Sequence, residues 1–95
     1  MPDTRTTFLL PERYSFDEDT TLRAFLTENR QANVEIAAPN LRRIDTLFIQ
    51  YLIAAAQSWG AKGLRFEVTG LRAELARSME LLGVRSDILT WSAAQ

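Results

Sequence analysis

The chain has 95 residues with neither Cys nor His, and its 11 basic and 12 acidic side chains leave a net charge of −1. That length suits one domain, and without thiol or imidazole there can be no Cys/His zinc site, thiolate nucleophile or Ser-His-Asp triad. The basic residues are dispersed and the densest charged run, Asp17-Glu18-Asp19, is acidic, so the basic stripe of a nucleic-acid binder is missing.

A hydrophobic share of 46% supplies one compact core without disulfide, metal or cofactor. Asp3 and Arg5 interrupt any leader-like apolar stretch, and the longest apolar runs are too short to span a bilayer. The expectation is a cytoplasmic protein without direct membrane insertion, residues 1–95 forming a single domain.

The pattern alternates strands with helices. Thr7-Phe8-Leu9-Leu10 is β-prone, and Pro11 confines it to a sheet edge. Tyr14-Ser15-Phe16 either extends that pairing or covers the core. A first helix is predicted from Asp17–Thr20, where acidic and hydroxyl residues suit exposed N–H groups. Leu22, Phe25 and Leu26 then form its apolar face, and residues 29–33 form a turn.

Val34-Glu35-Ile36-Ala37-Ala38 is the second strand. Pro39 and Asn40 break it, Asp45 is the N-cap candidate for a helix over 46–59, and Gly60 is expected to end that helix. Leu64-Arg65-Phe66-Glu67-Val68 alternates with period two, as a strand with one wetter face does. Thr69 and Gly70 are read as the start of a third helix over 71–82, closed by Gly83. Leu71, Leu75, Met79 and Leu82 would form its buried stripe, with Glu74, Arg77 and Glu80 outward. Ile88-Leu89-Thr90-Trp91 offers a last short strand. The order β-α-β-α-β-α-(β) predicts an α/β fold with a small, mostly parallel sheet and right-handed crossover helices.

The second helix is apolar over most of its circumference. Leu47, Phe48, Ile49, Tyr51, Leu52, Ile53, Ala54, Ala55, Ala56 and Trp59 are interrupted only by Thr46, Gln50, Gln57 and Ser58. Two readings stand. Neighbouring elements cover the excess, or Ile49, Tyr51 and Ile53 stay partly exposed as a docking surface of the kind that apolar patches commonly mark.

This order of elements resembles the STAS domain, the fold of the bacterial anti-sigma factor antagonists. The segment Ile44-Asp45-Thr46-Leu47-Phe48 is similar to the family's aspartate–serine/threonine turn, which opens a helix after a central strand. Trp59-Gly60-Ala61-Lys62-Gly63-Leu64-Arg65-Phe66 matches the approach to the following strand, and Met79-Glu80-Leu81-Leu82-Gly83-Val84 a recurrent leucine–glycine helix end. The likeness covers roughly residues 7–90 and implies a single STAS-like domain working as a non-enzymatic interaction module. Asp45, Thr46, Phe48, Ile49, Tyr51 and Ile53 would then meet the partner.

In partner-switching members of the family a kinase phosphorylates a hydroxyl residue two places after the aspartate, and a glycine follows. Here Leu47 and Phe48 stand at those places. Thr46 is the only hydroxyl left in the turn. A phosphate there would lie at a helix N-terminus, with Arg42 and Arg43 near in sequence to pair with it. The plainer reading, a Thr46 hydroxyl serving only the backbone, is preferred.

Leu10-Pro11-Glu12-Arg13, together with the body of the second helix, resembles small stand-alone STAS proteins of chemotaxis clusters. The implied partner is a bacterial signalling kinase, chemotactic or anti-sigma. The Asp45-Thr46 pair also suits STAS subunits that bind the ATPase of phospholipid ABC transporters. A small-ligand domain is a further alternative, although Gly60, Gly63 and Gly70 make no phosphate loop, and an apolar second helix would equally serve a homodimer.

Overall fold

The computed structural model describes residues 5–14, 20–85 and 88–93. Four strands, β1 (Arg5–Leu9), β2 (Asn33–Ala37), β3 (Phe66–Leu71) and β4 (Thr90–Ala93), form one parallel sheet in the order β1-β2-β3-β4. Helices α1 (Thr21–Glu28), α2 (Thr46–Ala61) and α3 (Ala73–Leu81) connect them. The α/β class, the element order and the edge position of β1 are those expected from the sequence.

Consecutive strands are neighbours, so crossovers of one hand place all the helices on one side. The contacts agree. The Phe8 ring of β1 lies 5.2 Å from Phe25 of α1, and Phe66 of β3 lies 5.7 Å from Trp59 of α2. Trp91 of β4 donates its indole N–H to the Val84 carbonyl beyond α3 at 3.0 Å. In register with these residues, Val34, Ile36 and Val68 are buried beneath the helices.

The opposite face is mainly polar, with Leu9 exposed at its edge. Glu35 and Glu67 sit side by side in register, an arrangement that like charges disfavour. Arg5 offsets the repulsion, with its guanidinium 3.4 Å from Glu35 and 3.6 Å from Glu67. The Thr69 and Thr7 hydroxyls donate to the two Glu35 carboxylate oxygens at 2.6 and 3.3 Å. This ladder lets a parallel sheet, normally covered on both faces, leave one face without helices.

The helix ends follow local chemistry. Asp45 takes an extended conformation, and its Oδ1 accepts the Phe48 N–H at 2.8 Å, as an N-cap should. At the other end the Leu64 N–H bonds to the Trp59 carbonyl and the Gly63 N–H to the Gly60 carbonyl, both at 3.0 Å. This is the paired closure of a Schellman motif. Gly60 therefore does not end α2, as expected from sequence; it lies inside the helix, and Gly63 terminates it. The same pair of bonds, Val84 to Met79 and Gly83 to Glu80, closes α3. Thr20 occupies the N-cap position of α1 without a side-chain bond, while the acidic run before it, like Ser15 and Phe16, lies outside the described residues. Tyr14 extends no strand; its ring packs 4.7 Å from Phe48.

Thr69 and Gly70 are a second correction. They continue β3 and do not open a helix, and α3 begins only at Ala73. Between the pairs Val68–Trp91 and Leu71–Ala93 the register shifts, two β3 residues facing one of β4. Gly70 absorbs this bulge at φ 71°, against the Pro39 ring. A Cβ would find ordinary contact distances there, but the left-handed backbone penalises any L side chain. Gly70→Ala is expected to cost about 1–2 kcal/mol, read from the urea midpoint. An unchanged midpoint would mean that the bulge relaxes without cost.

Leu10, Leu22, Ile36, Leu41, Leu52, Leu71, Met79 and Leu89 are fully buried. Leu82, assigned to the buried stripe of α3, is exposed: α3 ends at Leu81, and Leu82 becomes its outward C-cap residue, while Leu71, Leu75 and Met79 of the same stripe are buried. The last strand likewise begins at Thr90, leaving Ile88 exposed outside it. The apolar excess of α2 is mostly absorbed by packing. Phe48, Ile49, Leu52 and Trp59 are buried, and Tyr51, Ile53, Ala55 and Ala56 pack half-buried against the core. Leu47, Gln50, Ala54 and Gln57 form the exposed stripe.

Candidate docking groove at the head of the second helix

Loops that leave the carboxyl ends of the first two strands meet at the head of α2. The buried Leu41 anchors the second loop. Arg42 ties it to the first, its N–H bonding to the Glu12 carbonyl at 3.0 Å and its guanidinium to the Glu12 carboxylate at 2.9 Å. Arg13 and Tyr14 from the first loop, 42–45 from the second, and Glu74, Leu75 and Ser78 from α3 line the resulting groove.

Most polar groups in the groove are already engaged. Asp45 caps α2, Glu12 pairs with Arg42, Glu74 lies 3.8 Å from the Arg72 guanidinium, and the Ser78 hydroxyl donates to the Glu74 carbonyl. Among the described residues, Arg13 and Arg43 make no ion pair, and the positive character of the groove rests on them. Next in the chain after the groove-lining Asp45, Thr46 is the exposed first residue of α2, and Leu47 leaves half its surface in solvent.

The fold thus brings Asp45, Thr46, Arg42 and Arg43 together at the head of α2. Phe48 and Ile49, expected on the docking surface, are 2% and 3% exposed and belong to the core. Helical phase turns them into the core, with the Phe48 ring against Tyr14 of the first loop. Tyr51 and Ile53 lie farther along α2 and keep part of their surface. Arg42 is held by Glu12, so pairing with a phosphate on Thr46 would first have to displace that carboxylate.

Sequence reasoning missed Arg13, Glu74 and Leu47. Nothing in sequence puts Arg13 or Glu74 beside α2, since both arrive through the topology. Leu47 was within reach, because it shares the helical stripe of Gln50, Ala54 and Gln57.

Burial pushes the Tyr51 hydroxyl above its ordinary pKa of 10.0, and the Arg23 guanidinium of α1 works in the opposite direction. A phenol with a raised folded-state pKa contributes stability that is complete below its unfolded value and is lost as pH rises through the folded one. Unfolding free energy is therefore expected to decline above about pH 10, less steeply in Tyr51→Phe. Equal declines in urea titrations at either side of that pH would clear Tyr51 of the effect.

No group of three or more acidic side chains that could hold a metal occurs among the described residues, and none of their helices is long and apolar enough to cross a membrane. The fold and groove define a small two-layer parallel α/β domain, with two arginines that make no ion pair among the described residues and an exposed leucine at the head of one helix.

A family model described as Mlab, STAS domain matches residues 15–90. The match spans well over half of the chain, which belongs to the STAS domain family. No curated protein and no solved structure matches it significantly. STAS domains are in general interaction modules of the anti-sigma antagonist type and not enzymes.

Proposed function

We propose that this STAS domain is a cytoplasmic docking module of bacterial signalling, and that it binds a signalling kinase, chemotactic or anti-sigma, through the head of α2. The observation that carries this reading is the exposure of Leu47 beside the groove, in the helix turn opened by Asp45. Packing has buried most of the apolar surface of α2 and left this leucine out. An apolar side chain rimmed by charged groups is the usual composition of a small interaction surface. The partner-binding set is accordingly Asp45, Thr46 and Leu47, with Tyr51 and Ile53 as flanking contacts.

Affinity capture from the native lysate, with mass spectrometry of bait and prey, identifies the partner. A kinase is expected, and its binding should weaken in Thr46→Glu and in Tyr51→Ala while thermal melting shows both variants folded. Undiminished binding by both would remove the α2 head from the interface. The Asp45-Thr46 turn favours a second reading, an accessory subunit on the ATPase of a phospholipid-transporting ABC system, and recovery of such an ATPase would replace the kinase. A modified Thr46 in the captured bait would establish a phospho-switch in spite of Leu47.

A further inference from the structure

We infer that the groove at the head of α2 receives an acidic segment of the partner protein, its carboxylates held by Arg13 and Arg43 and an apolar residue set against Leu47. The inference rests on the docking reading above and specifies the chemistry of what docks.

Charge commitment is what selects the occupant. Arg13, Arg42 and Arg43 line the groove, as do Asp45 and Glu74, so a plain count of charges there says little. The partners decide it. Asp45 turns one oxygen to the Phe48 N–H and keeps its charge, Glu74 faces Arg72, and Glu12 holds Arg42, which leaves two arginines against one carboxylate among the described lining residues. Arg13 and Arg43, exposed and without an ion pair among the described residues, are left to meet whatever enters. A guanidinium presents a planar fork of donors that fits a carboxylate through two parallel hydrogen bonds. The cost of stripping water from exposed guanidiniums is offset by carboxylates and not by a neutral surface, and like charge would be repelled.

A protein segment fits better than a small anion. Small-molecule sites orient their ligand with polar groups inside an enclosed, largely apolar pocket. Here no polar or charged residue among those described is buried, and Leu47 is exposed in the first turn of α2, two residues after the groove-lining Asp45. Cations at a rim beside an exposed apolar anchor are the elements of a protein interface.

The test uses the ¹⁵N-labelled chain and a short synthetic peptide of alternating glutamate and leucine, its lysine–leucine counterpart and inorganic phosphate serving as comparison probes. The acidic peptide is expected to shift the amide resonances of Arg13, Arg43 and Leu47, with binding that weakens as salt is added. The paired substitution R13E/R43E should weaken that binding at least roughly tenfold with the spectrum otherwise native, and R13Q/R43Q should show a smaller loss. Equal binding of the lysine peptide, shifts located elsewhere, or full binding by R13E/R43E would overturn the inference. The same shifts with phosphate alone would also overturn it, in favour of a phosphate ligand. The docking reading fails separately: if the captured partner binds R13E/R43E normally yet loses Leu47→Asp, docking stands and the acidic specificity does not. If it binds Leu47→Asp normally, docking itself is wrong.

Discussion

Trp59→Ala is expected to destabilise the domain by about 3–5 kcal/mol, the largest effect of any single substitution considered. Trp59 lies in the last turns of α2 and is 5% exposed. Its ring meets Phe66 of β3 edge-on at 5.7 Å, its indole N–H donates to the Ala32 carbonyl at 2.8 Å, and the Lys62 ammonium sits 4.5 Å above it. Lys62 also bonds to the Arg30 carbonyl. One side chain thus fastens α2 to β3 and to the turn that enters β2. Truncation removes that apolar burial, opens a cavity and leaves the Ala32 carbonyl without its indole donor. A domain of this size has a total stability of roughly 5–15 kcal/mol, so the variant should be largely unfolded in moderate urea. Trp59→Phe keeps an aromatic ring and loses the hydrogen bond, and should cost clearly less. An alanine variant within about 1 kcal/mol of the parent would show that the end of α2 is not anchored in this way.

Leu47→Asp is expected to weaken partner binding by a factor of about thirty or more, about 2 kcal/mol, the usual scale for loss of an interface anchor. The substitution should hardly affect folding. Leu47 is half exposed and outside the core, and an acidic residue in the first turn of a helix suits the macrodipole. Titration calorimetry against the captured partner gives the affinity, and thermal melting gives the stability. Lost affinity with an unchanged melt locates the anchor at Leu47. Unchanged affinity would remove it from the interface.

Periodicity and local helix chemistry made the architecture legible. Alternation in β3 announced a strand with one wetter face, Asp45 was identifiable as a cap from its place before an apolar run, and the strand–helix order implied the parallel sheet. Glycine was the main source of error. Gly60 and Gly70 both looked like punctuation, yet one lies inside α2 and the other lets β3 bulge against Pro39. A glycine with left-handed backbone inside a strand cannot be told from one that ends a strand until its pairing partner, here β4, is known. The stripe of α3 kept its phase, with Leu71, Leu75 and Met79 buried, and failed only at Leu82, which lies past the last helical residue.

The candidate site was legible only where it is contiguous. Arg42, Arg43, Asp45 and Thr46 lie on one short segment and could be named together. Arg13 and Glu74 reach the groove through separate crossovers, and their positions depend on how the loops leave the sheet. For α2, composition indicated more apolar surface than one sheet contact needs but not which part remains exposed. Phe48 and Ile49 turned out to be the buried part and Leu47 the exposed part, a difference of one helical position settled by how the Asp45 cap sets the first turn.

Hydrogen–deuterium exchange of the chain, free and bound to its captured partner, tests the location of the docking site most directly. Docking at the head of α2 predicts added protection at residues 42–47 and in the loop at 11–14, with the polar face of the sheet unchanged. Added protection confined to Arg5–Leu9 and Asn33–Ala37, with none at the head of α2, would contradict it and place the interface on the sheet.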